Sequence, residues 1–140
     1  MSYFDPQLLR IAVIDDDEAS LRNAAICATT QVSHPTATAI HTLLKPFSPL
    51  RHQPVQVGEK DAVVWSRWHS GAETAFFTVG DASLLERCEL TDTERERLML
   101  TIRKAATHQE HVYVIATKQE KPGLRGLPRE LECLGLIFYR

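Results

Sequence analysis

The sequence predicts an α+β domain, a largely antiparallel sheet flanked by helices, on three observations. Ala62–Trp68 and Thr74–Val79 are strand-like runs separated only by His69–Glu73, which contains Gly71, so they read as a hairpin. Two other regions, one before and one after these strands, carry apolar residues at helical spacing. The resulting order is strand, two helices, several strands, two helices, two strands, with no regular strand–helix alternation to suggest a parallel sheet.

Each element has its own signal. Leu9 to Ile14 is short, apolar and β-branched, and reads as a buried strand. Asp15 to Asp17 supply helix-starting acids, and Leu21, Ala24, Ala25 and Ala28 then recur on one face through about Gln31. A second helix opens at Ser33, with Pro35 in its first turn and Ala37, Ile40 and Leu44 on one face. Lys45 to Pro54 has three prolines and reads as a loop, and Val55 to Val57 as a strand. Trp65 and Trp68 fall on opposite faces of their strand, so one is expected in the core and the other partly exposed. Ala82 to Cys88 reads as a short helix. Thr91 to Glu94 is a capping box opening a longer helix whose inner face is Leu98, Ile102 and Ala105, and the charges Glu94 to Arg97 read as a solvated face. His111 to Thr117 and Leu131 to Tyr139 are strands joined by the Gly- and Pro-containing loop Gln119 to Arg129.

The chain of 140 residues is read as one domain, 1–140, long enough to bury a core without disulfides or metal. A net charge of -2 gives no electrostatic reason to bind nucleic acid or an anionic membrane. Three widely spaced cysteines, Cys27, Cys88 and Cys133, argue for reduced thiols and a cytoplasmic setting. No apolar run has membrane-spanning length, so no direct membrane insertion is expected. The six histidines and three cysteines lack metal-ligand spacing, and neither a G-x-S-x-G motif nor a Gly-rich phosphate loop occurs. No catalytic residue is assigned.

The run Phe76–Cys88, FFTVGDASLLERC, with the helix after it and then HVYVIATK, resembles the nucleotide-binding domain of cation-transporting P-type ATPases. In that family a strand ends in a Lys-Gly-Ala-Pro turn that opens a short helix, followed by a longer helix and a strand. The likeness covers about Glu18 to Tyr139. Ser33-His34-Pro35-Thr36-Ala37-Thr38-Ala39-Ile40 is similar to the Ser-Glu-His-Pro and Gly-Asp-Pro-Thr-Glu variants of one family helix, and Pro46-Phe47-Ser48-Pro49-Leu50-Arg51 to the Pro-Phe-x-Ser-x-Arg-Lys segment. The resemblance implies ATP as ligand, with Mg2+ arriving on the nucleotide and not held tightly here. Phe47 would stack on adenine, Gly80 would allow close backbone approach, and His34 and Arg51 would make polar contacts. The implied partner is the phosphorylation domain of the same or a partner pump, a hydrolase and translocase. The Asp-Lys-Thr-Gly-Thr phosphorylation motif is absent, so this chain alone would position nucleotide and not carry the covalent step.

Departures keep a second reading open. Val79 stands where the family has its turn lysine, His52 where a basic residue follows Arg51, His111 where an arginine starts the later strand, and Ala37 where one variant has glutamate. A stand-alone degenerate relative, acting as a non-enzymatic interaction or regulatory module, would show such losses. A third reading takes Ile11–Glu18 as the opening of a receiver-like signalling domain with Mg2+ at Asp15 to Asp17. It needs a later strand ending in aspartate, and offers only Asp61, which precedes its strand.

Overall fold

The computed structural model describes residues 10–14, 17–44 and 53–139. Through them run β1 (Arg10–Val13), α1 (Glu18–Thr29), α2 (Pro35–Leu44), β2 (Gln56–Lys60), β3 (Val63–Ser70) and β4 (Glu73–Gly80). A 3-10 helix (Ala82–Arg87), α3 (Asp92–Thr107), β5 (His111–Glu120) and β6 (Glu132–Tyr139) follow. The strands form a six-stranded sheet in the order β1-β6-β5-β4-β3-β2, and every neighbouring pair is antiparallel. The α+β expectation is met. The regular strand–helix alternation of a receiver is not, because such crossovers make parallel neighbours. Asp15 and Asp16 lie outside the described residues, as does most of the proline-rich loop.

Helices cover both faces of the sheet. On one face α1 and α2 place Leu21, Ala24, Ala25, Ile40 and Leu44 against Val64, Val79, Ile115 and Ile137. On the other, the 3-10 helix and α3 place Leu84, Leu85 and Ala105 against Phe76, Val114, Leu136 and Phe138. Strand residues alternate between the two cores because side chains alternate along a strand. A core on each face requires strands that are apolar on both sides, and this is why the central strands read as continuous apolar runs.

The elements start where the local chemistry dictates. The Asp17 carboxylate caps α1 by accepting from the Ser20 amide at 3.0 Å and the Ser20 hydroxyl at 2.6 Å. In α2 the Thr38 amide donates to the His34 carbonyl at 3.0 Å, so His34 holds the cap position, one residue later than Ser33. Thr91 and Glu94 form the reciprocal capping box of α3, each bond 3.1 Å long. The β3–β4 hairpin turns at Gly71, whose φ of +63° suits glycine.

Two expectations need correction. Trp65 and Trp68 do lie on opposite faces, but both are buried, at 9% and 8% exposure, since each face has its own helical layer. Trp68 Nε1 donates to Ser66 Oγ at 2.7 Å, and that hydroxyl donates to the Cys27 carbonyl of α1. Nor is Glu94 to Arg97 wholly a solvated face. Arg95 is half-buried and turns inward, donating to the carbonyl of Leu85, which also accepts the Cys88 amide that closes the 3-10 helix, and, at 3.2 Å, to the carbonyl of Cys88.

Candidate functional site

The turn that carries the family resemblance lies at one end of the sheet. β4 ends at Gly80, which pairs with Val114 of β5. Asp81 then caps the 3-10 helix, its carboxylate accepting from the Ser83 amide at 3.1 Å and from the Ser83 hydroxyl. A Cβ at Gly80 would come within 2.8 Å of Val63 Cγ2, so the tight fit of β4 against β3 requires glycine here. Val79, one residue earlier, points the other way and is fully buried among the residues of α1 and α2.

The same end of the sheet carries an aromatic stack. His111, first in β5, pairs with Tyr139, last in β6, and their rings stack at 4.9 Å between centroids and 24° between planes. Tyr113 stacks on Tyr139 at 5.5 Å and 23°, and the two phenol oxygens are 3.0 Å apart. Burial, followed by the hydrogen bond to Tyr113, pushes the Tyr139 phenol above its ordinary range, so it stays protonated at neutral pH. His111 is exposed, leaving imidazole on the outside of a rigid tyrosine pair. Such a surface can stack against a planar ring, though it offers no fixed cation.

No protein-family model matches this chain, and no curated protein matches it. The functional reading therefore rests on the residues themselves.

His34 is half-buried at the start of α2, beside a shallow depression of about 490 Å³ that it lines with Ser33, Pro35, Thr38 and Ala39. α2 belongs to the layer on the Val79 face, whereas the Cα substituent of Gly80 points toward the opposite layer. The fold thus places these two candidates on different faces of the sheet. Phe47 and Arg51, like His52, lie outside the described residues.

A second cleft, about 300 Å³, lies between the first turns of α1 and the sheet, lined by Asp17, Ser20, Asn23, Phe77, Thr117 and Glu132 among others. The Asp17 carboxylate there is already engaged, and the hydrogen bonds from the Ser20 side chain and amide hold its pKa below the ordinary value. Among the described residues no group of three or more His, Cys, Asp or Glu is placed to hold a metal ion.

The cysteines are all free and buried. Burial raises the Cys27 thiol to about 11, and the neighbouring Cys133 thiol together with burial drives Cys88 up as well. Protonated, enclosed thiols of this kind are poor nucleophiles. No helix among the described residues is long and apolar enough to cross a membrane.

Sequence reasoning missed the aromatic stack and a buried ion pair, Arg67–Glu120. A charge inside the apolar run of β3 was a visible signal for the ion pair. The alternation of His111 and Tyr113 was a weaker one for the stack, because Tyr139 joins them only through the β5–β6 register.

Proposed function

We propose that this chain is an adenine-nucleotide-binding domain of the kind found in cation-transporting P-type ATPases, holding ATP for transfer of its γ-phosphate to an aspartate on a separate phosphorylation domain. Its contribution is positioning, not covalent chemistry. The observation that carries the reading is the unit around Gly80. β4 ends there, Asp81 opens a short helix, a longer helix follows, and β5 returns antiparallel to β4. This is the order the resemblance implies. The exposed face of the His111–Tyr139–Tyr113 stack, at the same end of the sheet, offers a base a place to rest. Mg2+ accompanies the nucleotide.

The second reading is a relative that keeps the fold and has given up nucleotide for a protein partner. One observation favours it. Val79, in place of the turn lysine, is sealed in the core, so no side chain from that position reaches a ligand.

Titration with ATP, ADP and AMP, with and without Mg2+, followed by amide NMR, separates the two. Saturable shifts at Gly80, His111, Phe47 and Arg51 are expected for a working site. Shifts at these residues but not at His34 would keep the site and remove His34 from it. Well-dispersed spectra without shifts at several millimolar nucleotide would leave the second reading.

A further inference from the structure

We propose that a cleft at the far end of the sheet from Gly80 binds a carboxylate carried on a short apolar group. The cleft is about 410 Å³ and is lined by Val55, Gln56, Arg67, Thr74, Leu124 and Arg125 among others. Gln56 pairs with Arg67, and Thr74 lies two residues before Phe76, the Arg67 partner on β4. All three side chains therefore leave the same face of the sheet. The β5–β6 loop supplies Leu124 and Arg125. It is tied down where Arg67 donates to the Gly126 carbonyl and where Arg87 Nη1 donates to the Leu127 carbonyl at 3.1 Å. Val55 is fixed beside the cleft by its amide, which donates to the Arg67 carbonyl at 2.7 Å. Thr74 stands at the start of β4 and Gly80 at its end, so this site and the nucleotide reading are independent.

The polar side chains that line this cleft have hydrogens left to donate. Thr74 is only 4% exposed, yet its hydroxyl makes no hydrogen bond among the described residues. Buried hydroxyls normally have a partner. Arg67 engages four of its five N–H bonds, two on Glu120, one on Gln56 and one on Gly126, which leaves one on Nη1. Because Arg67 occupies the Gln56 oxygen, the Gln56 NH2 group remains as a donor. Arg125 is exposed, and its guanidinium has neither an ion pair nor a hydrogen bond among the described residues.

Donors gathered in this way call for an acceptor-only ligand, and the charges set its valence. Glu120 already balances Arg67, so Arg125 is the cation left uncompensated among the residues that line the cleft. One negative charge is what it can balance. A carboxylate carries that charge on two coplanar oxygens, which match the guanidinium fork. A phosphate dianion would set its second charge close to the Glu120 carboxylate. The apolar part of the ligand follows from the rest of the lining. Val55 is 48% exposed and Leu124 51%, and an apolar group attached to the carboxylate gains by covering them.

The test is amide NMR of the full chain, titrated to about 20 mM with hexanoate, acetate, hexanamide and inorganic phosphate, a range that reaches millimolar Kd values. Hexanoate should bind saturably, with shifts at Thr74, Leu124 and Arg125. It should bind about fivefold tighter than acetate and about tenfold tighter than hexanamide. Arg125→Gln, in an exposed loop, should weaken hexanoate about tenfold. Thr74→Val should weaken it too without lowering the urea midpoint, because it removes a buried hydroxyl that has no partner in the free protein. Leu124→Ser should weaken hexanoate and leave acetate unchanged. An acetylated peptide ending in leucine that binds tighter than hexanoate, and not as its amide, supports the site with a chain end as the source of the carboxylate. Weaker binding of that peptide supports a free acid. Absence of any saturable shift overturns the proposal, as does hexanamide binding as tightly as hexanoate. Phosphate binding more tightly than hexanoate overturns it as well, and so does a hexanoate affinity that neither Arg125→Gln nor Thr74→Val moves.

Discussion

Arg67 and Glu120 meet in the protein interior across the width of β4, Nε to Oε2 at 2.8 Å and Nη2 to Oε1 at 3.3 Å, with the guanidinium lying 4.9 Å from the centroid of the Phe76 ring between them. The same guanidinium donates to Gln56 Oε1 on β2 and to the Gly126 carbonyl in the β5–β6 loop. One side chain thus joins three strands and a loop. Both residues are almost wholly buried, so the pair is stabilising only while it is complete. Glu120→Ala should cost about 3–5 kcal/mol, because it leaves a buried cation without its counter-ion. Replacing both, Arg67→Met with Glu120→Leu, should recover much of that loss. Urea unfolding of the single and double variants checks this, and an additive double variant would contradict it.

The capping box makes stability depend on acid pH. The Thr91 amide and hydroxyl hold the Glu94 carboxyl below its ordinary value of 4.5. At acid pH the unfolded chain therefore binds more protons at this site than the folded one. The stabilisation is fully present above pH 4.5 and is lost as the pH falls through the lower folded value. Asp17 behaves with the same sign through its bonds from Ser20. Urea midpoints measured between about pH 6 and pH 3 should fall, and Glu94→Gln, which keeps a capping side chain without the titrating charge, should flatten the curve. An unchanged slope in that variant would show that other carboxylates dominate.

Gly135 marks where β6 changes step. Ile115 pairs with Gly135 but Ala116 with Cys133, so Leu134 is an extra residue, and side-chain alternation resets across this bulge. Gly135 adopts φ +147°, and a Cβ there would run into the Ala12 carbonyl oxygen and come within 2.7 Å of Leu21 Cδ1. Gly135→Ala should therefore destabilise by about 2 kcal/mol or more. Gly71→Ala, which meets no atom within 4 Å, should lose only about 1 kcal/mol for its positive φ. Thermal unfolding of the two variants side by side tests the ranking.

The parts of this fold that could be read in the sequence are those specified by neighbours in the chain. The Thr91–Glu94 box, the Gly71 hairpin and the Ala37, Ile40 and Leu44 stripe are each set by residues close together in the chain, and all formed as expected. The β2–β3 turn was harder to see because Asp61 takes φ +55° without the Asn-Gly or Asp-Gly pair that usually signals it. Arg67 was visible as a charge in an apolar strand, but its partner lies 53 residues away, and only the strand order brings the two together. The tryptophans show the same limit. Alternation assigned their faces correctly, yet whether a face is covered depends on where the helices pack. At the candidate site, Gly80 could be read because it sits within its own turn, and the His111–Tyr139 stack could not.

Restoring lysine at position 79 tests how far the turn has departed from the family it resembles. Val79 is fully buried between Val64 and Ile115 of the neighbouring strands, in the core that β4 shares with α1 and α2, and α1 packs on β4. A lysine there must bury an ammonium, lose its proton, or push α1 aside, and each alternative costs free energy. Val79→Lys should lower stability by about 3 kcal/mol and leave nucleotide affinity no better than that of the wild type. Urea unfolding and an ATP titration on the same sample give both numbers. Raised affinity at little cost in stability would mean that the side chain snorkels past the end of β4 to the Gly80 turn. The present site would then be one substitution from the family's arrangement. Lost stability without gained affinity would mean that the core has been rebuilt around valine, so that any nucleotide held here must rely on stacking and backbone approach.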